Sequence, residues 1–186
     1  LDPRPETETV IEQALSEPFD TVLDLGTGSG CILLTLLAER PRVRGRGVDL
    51  SPAALEIARA NARALGVSPE LVLSDWFSAV DGQFDLIVAN PPYISDSDMA
   101  GLGPDVLDHE PHLALTPGGD GLDPYRIITA QVLHHLKPGG RLIVEIGPSQ
   151  GDRVQALFSA AGLEDPQVHT DLDNRHRVVT GRAPMV

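Results

Sequence analysis

Short runs of branched apolar residues alternate along this chain with stretches in which apolar positions recur every three or four residues, a pattern that predicts strands and helices in turn. Val10, Ile11, Ala14 and Leu15 share one face of a helix over residues 6–16, and Pro3 and Pro5 keep that helix from starting earlier. Residues 21–25 read as a strand, Gly26-Thr27-Gly28-Ser29-Gly30 as a loop, and residues 31–37 as an apolar helix. Residues 45–50 form the next strand, after which Ser51 supplies an N-cap and Pro52 the first position of a helix running to about residue 65. Residues 71–73 and 84–89 are further strands. A helix over residues 125–136 stops at Lys137-Pro138-Gly139-Gly140, a strand follows at 141–146, and another helix at 150–161. His169 and residues 177–181 mark a closing pair of strands joined by a polar turn at Asp173-Asn174.

This order predicts an α/β fold: a mostly parallel seven-stranded sheet with helices on both faces, right-handed crossovers and a C-terminal antiparallel hairpin at one edge. The pattern lapses over residues 94–121, which are rich in Asp, Pro and Gly and too long for a plain connector; a functional loop or lid is expected there. It breaks most abruptly at Asn90-Pro91-Pro92-Tyr93. Ligands of open α/β sheets bind at such strand ends, and the prolines keep the neighbouring carbonyls out of a helix and free to accept hydrogen bonds.

Composition narrows the picture. With 41% hydrophobic residues but only four Phe, two Tyr and one Trp, the 186 residues suit one globular domain, 1–186, with an aliphatic core. A net charge of −13 without any run of Lys or Arg disfavours direct nucleic-acid binding. Cys31 is the single cysteine, so disulfides and cysteine zinc sites are excluded, and it reads as a small buried residue. No apolar stretch approaches the roughly 20 residues that span a bilayer. The expectation is a cytoplasmic monomer without membrane contact.

Candidate chemistry gathers at the strand ends. Gly26, Gly28 and Gly30 between a strand and a helix allow a ligand close to the backbone and aim helix N-terminal amides at it. A dinucleotide loop has its third glycine one place later, so the spacing here suits a ligand without a pyrophosphate. Asp49 closes the second strand where an acid can accept both ribose hydroxyls. Asp75 closes the third and can accept from an exocyclic amine, with Trp76 as an aromatic wall. His109-Glu110-Pro111-His112 lacks the helical spacing of a zinc site, and no metal is expected. His134 and His135 complement the carbonyl end of their helix.

Together these residues resemble the class I S-adenosylmethionine-dependent methyltransferases, which have a Rossmann-like fold. More narrowly, the chain resembles the HemK/PrmC family, the protein glutamine-N5 methyltransferases that modify peptide-chain release factors. The resemblance rests on Pro3-Arg4-Pro5-Glu6-Thr7-Glu8, Asp24-Leu25 with the glycine loop, Ser74-Asp75-Trp76-Phe77, Asn90-Pro91-Pro92-Tyr93-Ile94, Glu110-Pro111, Asp120-Gly121-Leu122, Tyr125-Arg126 and Glu145-Ile146-Gly147. It implies S-adenosylmethionine as cofactor, S-adenosylhomocysteine as product, and the Gly-Gly-Gln glutamine of a release factor as acceptor. It further implies that Asn90, Pro91, Pro92 and Tyr93 are catalytic, and that Gly26, Thr27, Gly28, Ser29, Gly30, Asp49, Asp75, Trp76, Asn90 and Thr7 hold the cofactor. Family members usually carry a helical N-terminal domain ahead of the Pro-Arg-Pro-Glu-Thr-Glu segment, and this chain is expected to be the catalytic domain without it. Asp173–Arg177 stands where the family more often has a glycine-containing turn. Two alternatives remain on these residues: an adenine-N6 nucleic-acid methyltransferase, which shares Asn-Pro-Pro-Tyr, and a non-catalytic cofactor-binding scaffold.

Overall fold

The computed structural model describes residues 4–103 and 115–186. Its elements run α1 (Thr7–Leu15), β1 (Thr21–Leu25), α2 (Cys31–Glu39), β2 (Arg44–Asp49), α3 (Pro52–Leu65), β3 (Glu70–Leu73), β4 (Phe84–Ala89), α4 (Asp96–Met99), α5 (Asp123–His135), β5 (Leu136–Glu145), α6 (Gly151–Ala160), β6 (Glu164–Thr170) and β7 (His176–Arg182). The strands form one seven-stranded sheet in the order β3-β2-β1-β4-β5-β7-β6. β1 to β5 are parallel, and β7 is antiparallel to both β5 and β6. This is the expected sheet with its hairpin at one edge.

The two faces of the sheet are covered by different residues of the same strands. Leu23, Leu25, Ile87, Ala89, Leu142 and Val144 bury on one side with α5 and α6 residues such as Tyr125, Ile128 and Phe158. Val22, Leu86, Val88 and Ile143 bury on the other with Val10 and Ala14 of α1 and Leu33 and Leu36 of α2. A strand that alternates its side chains yet buries both sets reads as a continuous apolar run. The bounds of β1 and β4 therefore coincide with those runs.

The chain departs from the expected pattern at β5, which begins at Leu136 rather than Arg141. Lys137-Pro138-Gly139-Gly140 ends the helix but forms an irregular first half of the strand, across which the pairing with β4 jumps from Phe84↔Leu136 to Leu86↔Arg141. Lys137 Nζ pairs with both oxygens of Asp85 at 2.9 Å, and Gly140 O accepts from Ala183 N at 2.8 Å. A further difference is the single turn of α4, where the Ser95 hydroxyl accepts from Asp98 N. The polar turn between β6 and β7 is as expected, with Asn174 at φ 59° in the left-handed region that glycine otherwise fills and Asp171 Oδ1 accepting from the amides of Asp173 and Arg175.

The chain runs outward from β1 through β2 to β3, then returns to lay β4 on the other side of β1. The order reverses between β1 and β4, and open α/β sheets bind ligands at such a switch point. The glycine loop leaves β1 there, and Asn90 leaves β4.

Candidate functional site

The glycine loop has the conformation its composition requires. Gly26, Gly28 and Gly30 take φ of 67°, 56° and 85°. A Cβ on Gly26 or Gly28 would meet nothing within 4 Å, so the loop presents bare backbone to open space; at Gly30 it would press into Leu34 at 2.9 Å. Thr27 anchors the loop from within. Its amide donates to Val48 O at 2.9 Å, its hydroxyl to Asp24 Oδ2 at 2.8 Å, and its carbonyl accepts from Gly30 N at 2.8 Å. The Ser29 carbonyl accepts from Asn61 Nδ2 at 3.0 Å.

Asp49 is half-buried at the end of β2 and braces the same loop. Its Oδ2 accepts from Gly28 N at 2.8 Å and its Oδ1 from Ser51 N at 2.9 Å. Each oxygen retains acceptor capacity, since a carboxylate offers about four lone-pair sites. Asp75 is exposed beyond β3, in a tight turn closed by Ser74 and Ser78: Asp75 N donates to Ser78 Oγ, Ser74 Oγ to Trp76 O, and Ala79 N to Ser74 Oγ. Trp76 is half-buried, packs on the core and sits at φ 50°. Part of the ring expected to form a ligand wall is thus given to the core.

Asp24 is the buried acid beneath the loop, 1% exposed. Burial pushes its carboxyl up to about 7, the Thr27 hydroxyl acting in the opposite direction and the Asp49 charge adding to the rise. Its Oδ1 is buried, and the Leu33 backbone amide also opposes the rise.

Across the switch point, Asn90 is half-buried, Pro91 buried, and Pro92 and Tyr93 half-buried. Strand register places Asn90 in a row. Leu25 pairs with Ala89, and Ala89 with Val144, so one step onward Asn90 lies between Gly26 and Glu145. Leu86 and Val88 of β4 bury on the face that α1 covers. Thr7, at the start of α1, donates its hydroxyl to Glu145 Oε2 at 3.0 Å. Thr7 thereby meets the end of β5, one step past the residue that pairs with Ala89.

Among the described residues, further family-like segments gather around Tyr93 and Glu145. Gln150, 4% exposed, donates from Nε2 to Tyr93 O at 2.7 Å and accepts at Oε1 from Gly147 N at 2.9 Å. Gly121, at φ 78°, lies so near Tyr93 O that any Cβ would overlap it, and Arg126 braces this turn by pairing with Asp120 and Asp123. Tyr125 donates its hydroxyl to Glu145 O at 2.7 Å. Burial, then the Glu145 charge, pushes the Tyr93 phenol up to about 12 against the pull of Arg4 and Arg177, so it stays protonated at neutral pH. Sequence reasoning gave Glu145 and Gln150 no role. Glu145 carried the same signal as Asp49, an acid closing an apolar strand; Gln150 carried none.

Other expected features are placed plainly. Cys31 is half-buried rather than buried, because it opens α2 beside the loop. His134 and His135 stand in the last turn of α5, and His135 stacks on Phe77 with ring centroids 4.5 Å apart. The His109-Glu110-Pro111-His112 segment lies outside the described residues. Among the described residues no group of three His, Cys, Asp or Glu could hold a metal, and no helix is long and apolar enough to cross a membrane.

Comparison with known proteins decides the family. Residues 6–120 match the methyltransferase small domain family. Over 186 residues the chain is 61% identical to the release factor glutamine methyltransferase of Cereibacter sphaeroides, covering 99% of this chain and 67% of the relative. The chain belongs to the release factor glutamine methyltransferase family. The enzyme of that name from Rhodospirillum rubrum is 48% identical over 98% of this chain and 58% of its own length, and that from Caulobacter vibrioides 45% identical over 97% and 65%. The chain thus spans about three fifths to two thirds of these relatives. Among solved structures, a methyltransferase from Pyrococcus furiosus superposes with a TM-score of 0.73 at 14% identity, over 99% of this chain and 88% of that one. The ribosomal protein L11 methylase from Lactobacillus delbrueckii subsp. bulgaricus gives 0.66 at 21% identity, over 96% and 77%. These likenesses establish the methyltransferase fold.

Proposed function

We propose that the chain transfers a methyl group from S-adenosylmethionine to the side-chain amide nitrogen of the glutamine in the Gly-Gly-Gln motif of peptide-chain release factors. The observation that carries this is the placement of Asn90-Pro91-Pro92-Tyr93 across the switch point from the glycine loop, in a chain of this family.

The residues present fit the cofactor. Gly26 and Gly28 leave open space over their backbone, and Asp49 has acceptor capacity to spare for ribose hydroxyls. The cofactor supplies an electrophilic methyl group on a cationic sulfonium. Everything else falls to the chain. A glutamine amide is a poor nucleophile because its lone pair is delocalised, so positioning must supply most of the rate. The Asn90 side-chain oxygen and the Pro91 carbonyl accept the two amide hydrogens, aim the nitrogen at the methyl group and stabilise the positive charge that builds on it. Tyr93, neutral and fixed by Gln150, packs on the amide plane. The proton leaves after transfer, and the mechanism requires no general base before it.

The test is incubation with labelled S-adenosylmethionine and either a release factor or an adenine-containing oligonucleotide, followed by mass mapping. Label on the glutamine of the Gly-Gly-Gln motif is expected. Label confined to the oligonucleotide contradicts the proposal.

A further inference from the structure

The geometry points to Glu145 as a positioning residue for methyl transfer, one that acts through Thr7 to hold the segment before α1 against the Asn90–Tyr93 exit. This rests on the function proposed above and adds a residue to it. Glu145 is 1% exposed and closes β5, one step past the Val144 that pairs with Ala89, the residue before Asn90. Its bond from Thr7 ties residues 138 positions apart.

A carboxyl in this position is costly, because burial disfavours its charge and a well-packed apolar side chain would serve a purely structural end at least as well. Charged and titratable groups face it from every neighbouring element. Arg4 and Glu6 approach from the N-terminal segment, Arg177 from β7, Tyr93 from the loop after β4 and Cys31 from the start of α2, while the Tyr125 hydroxyl holds its carbonyl. Arg177, 6% exposed, reaches Glu6 at 3.8 Å and Asp171 at 2.9 Å, and so links the hairpin to the same segment. Burial pushes Glu145 up to about 7; the Thr7 bond works against that rise, Glu6 adds to it, and Arg177 and Arg4 oppose it.

The carboxyl therefore changes charge near neutrality. Ionised, it accepts strongly from Thr7 and attracts both arginines, fixing the flank of the acceptor site. Protonated, it releases that hold, and the flank that receives the release-factor loop loosens. The effect is expected on acceptor binding rather than on the cofactor, because the glycine loop stands across the switch point from this flank.

The experiment compares wild type, Glu145→Gln and Thr7→Val, measuring kcat and KM for a release factor from pH 5.5 to 9 and cofactor affinity by calorimetry. In wild type, kcat/KM should rise through a midpoint of about 7. Glu145→Gln should abolish that step and raise KM about tenfold, with cofactor affinity within about twofold. Thr7→Val should move the midpoint upward, because the hydroxyl's bond favours the ionised carboxyl. A Glu145→Gln enzyme with the wild-type midpoint and KM overturns the role; if that variant does not fold, an unshifted midpoint in Thr7→Val overturns it. Absence of transfer by wild type at every pH overturns the functional reading and this role with it, whereas transfer with an unaltered profile in the variants overturns the role of Glu145 alone.

Discussion

Asp49 Oδ2 accepts the Gly28 amide at 2.8 Å, which joins the end of β2 to the middle glycine of the loop after β1. The acid thus shapes the loop in addition to its proposed role of holding the cofactor. Asp49→Ala removes both functions and leaves the Gly28 and Ser51 amides without their acceptor. Calorimetry should show cofactor affinity falling by about tenfold or more, as for loss of charge-assisted bonds. Unchanged affinity would remove Asp49 from the cofactor site.

Asp24 links this site to stability. Its folded carboxyl lies at about 7 against an ordinary 3.8, so the fold prefers it protonated. That preference is fully present below the ordinary value and is lost as pH rises through about 7. Asn at this position mimics the protonated form at every pH. The stability of Asp24→Asn relative to wild type should therefore climb between about pH 4 and 7, by at most about 4 kcal/mol. Urea unfolding across that range, without cofactor, checks the slope; a flat difference would mean Asp24 is not held above its ordinary value.

Much of this arrangement is legible in the sequence. The buried strands β1 and β4 are apolar runs ended by Gly26 and by Asn90-Pro91, and the closing hairpin turns where Asp173-Asn174 says it should. What is not legible depends on distant partners. Lys137–Gly140 has no apolar periodicity, and its pairing beside Phe84 and its backbone bonds with Ala183 and Pro184 reveal it as strand. Gln150 is a polar residue before a helix until folding brings Tyr93 and Gly147 to its two ends. The bond from the Thr7 hydroxyl to Glu145 joins residues too far apart in sequence for any local pattern to foretell.

Gln150 supports a direct prediction. Gln150→Leu keeps the bulk but leaves Tyr93 O and Gly147 N buried without their partners, which should cost about 2 kcal/mol. Because Tyr93 is then no longer fixed beside the acceptor, kcat should fall more than cofactor affinity does. Thermal melts and single-turnover rates measure the two effects; full activity with lowered stability would make Gln150 a scaffold residue alone.

The central claim is that the Asn90 exit holds the amide and the glycine loop holds the cofactor, as separable tasks on either side of the switch point. One measurement addresses both: methyl transfer to the release-factor glutamine by Asn90→Ala, with cofactor affinity determined on the same preparation. Transfer should fall by at least about a hundredfold, as when an oriented acceptor of transition-state charge is removed, while affinity stays within about threefold. Transfer at the wild-type rate would contradict the account.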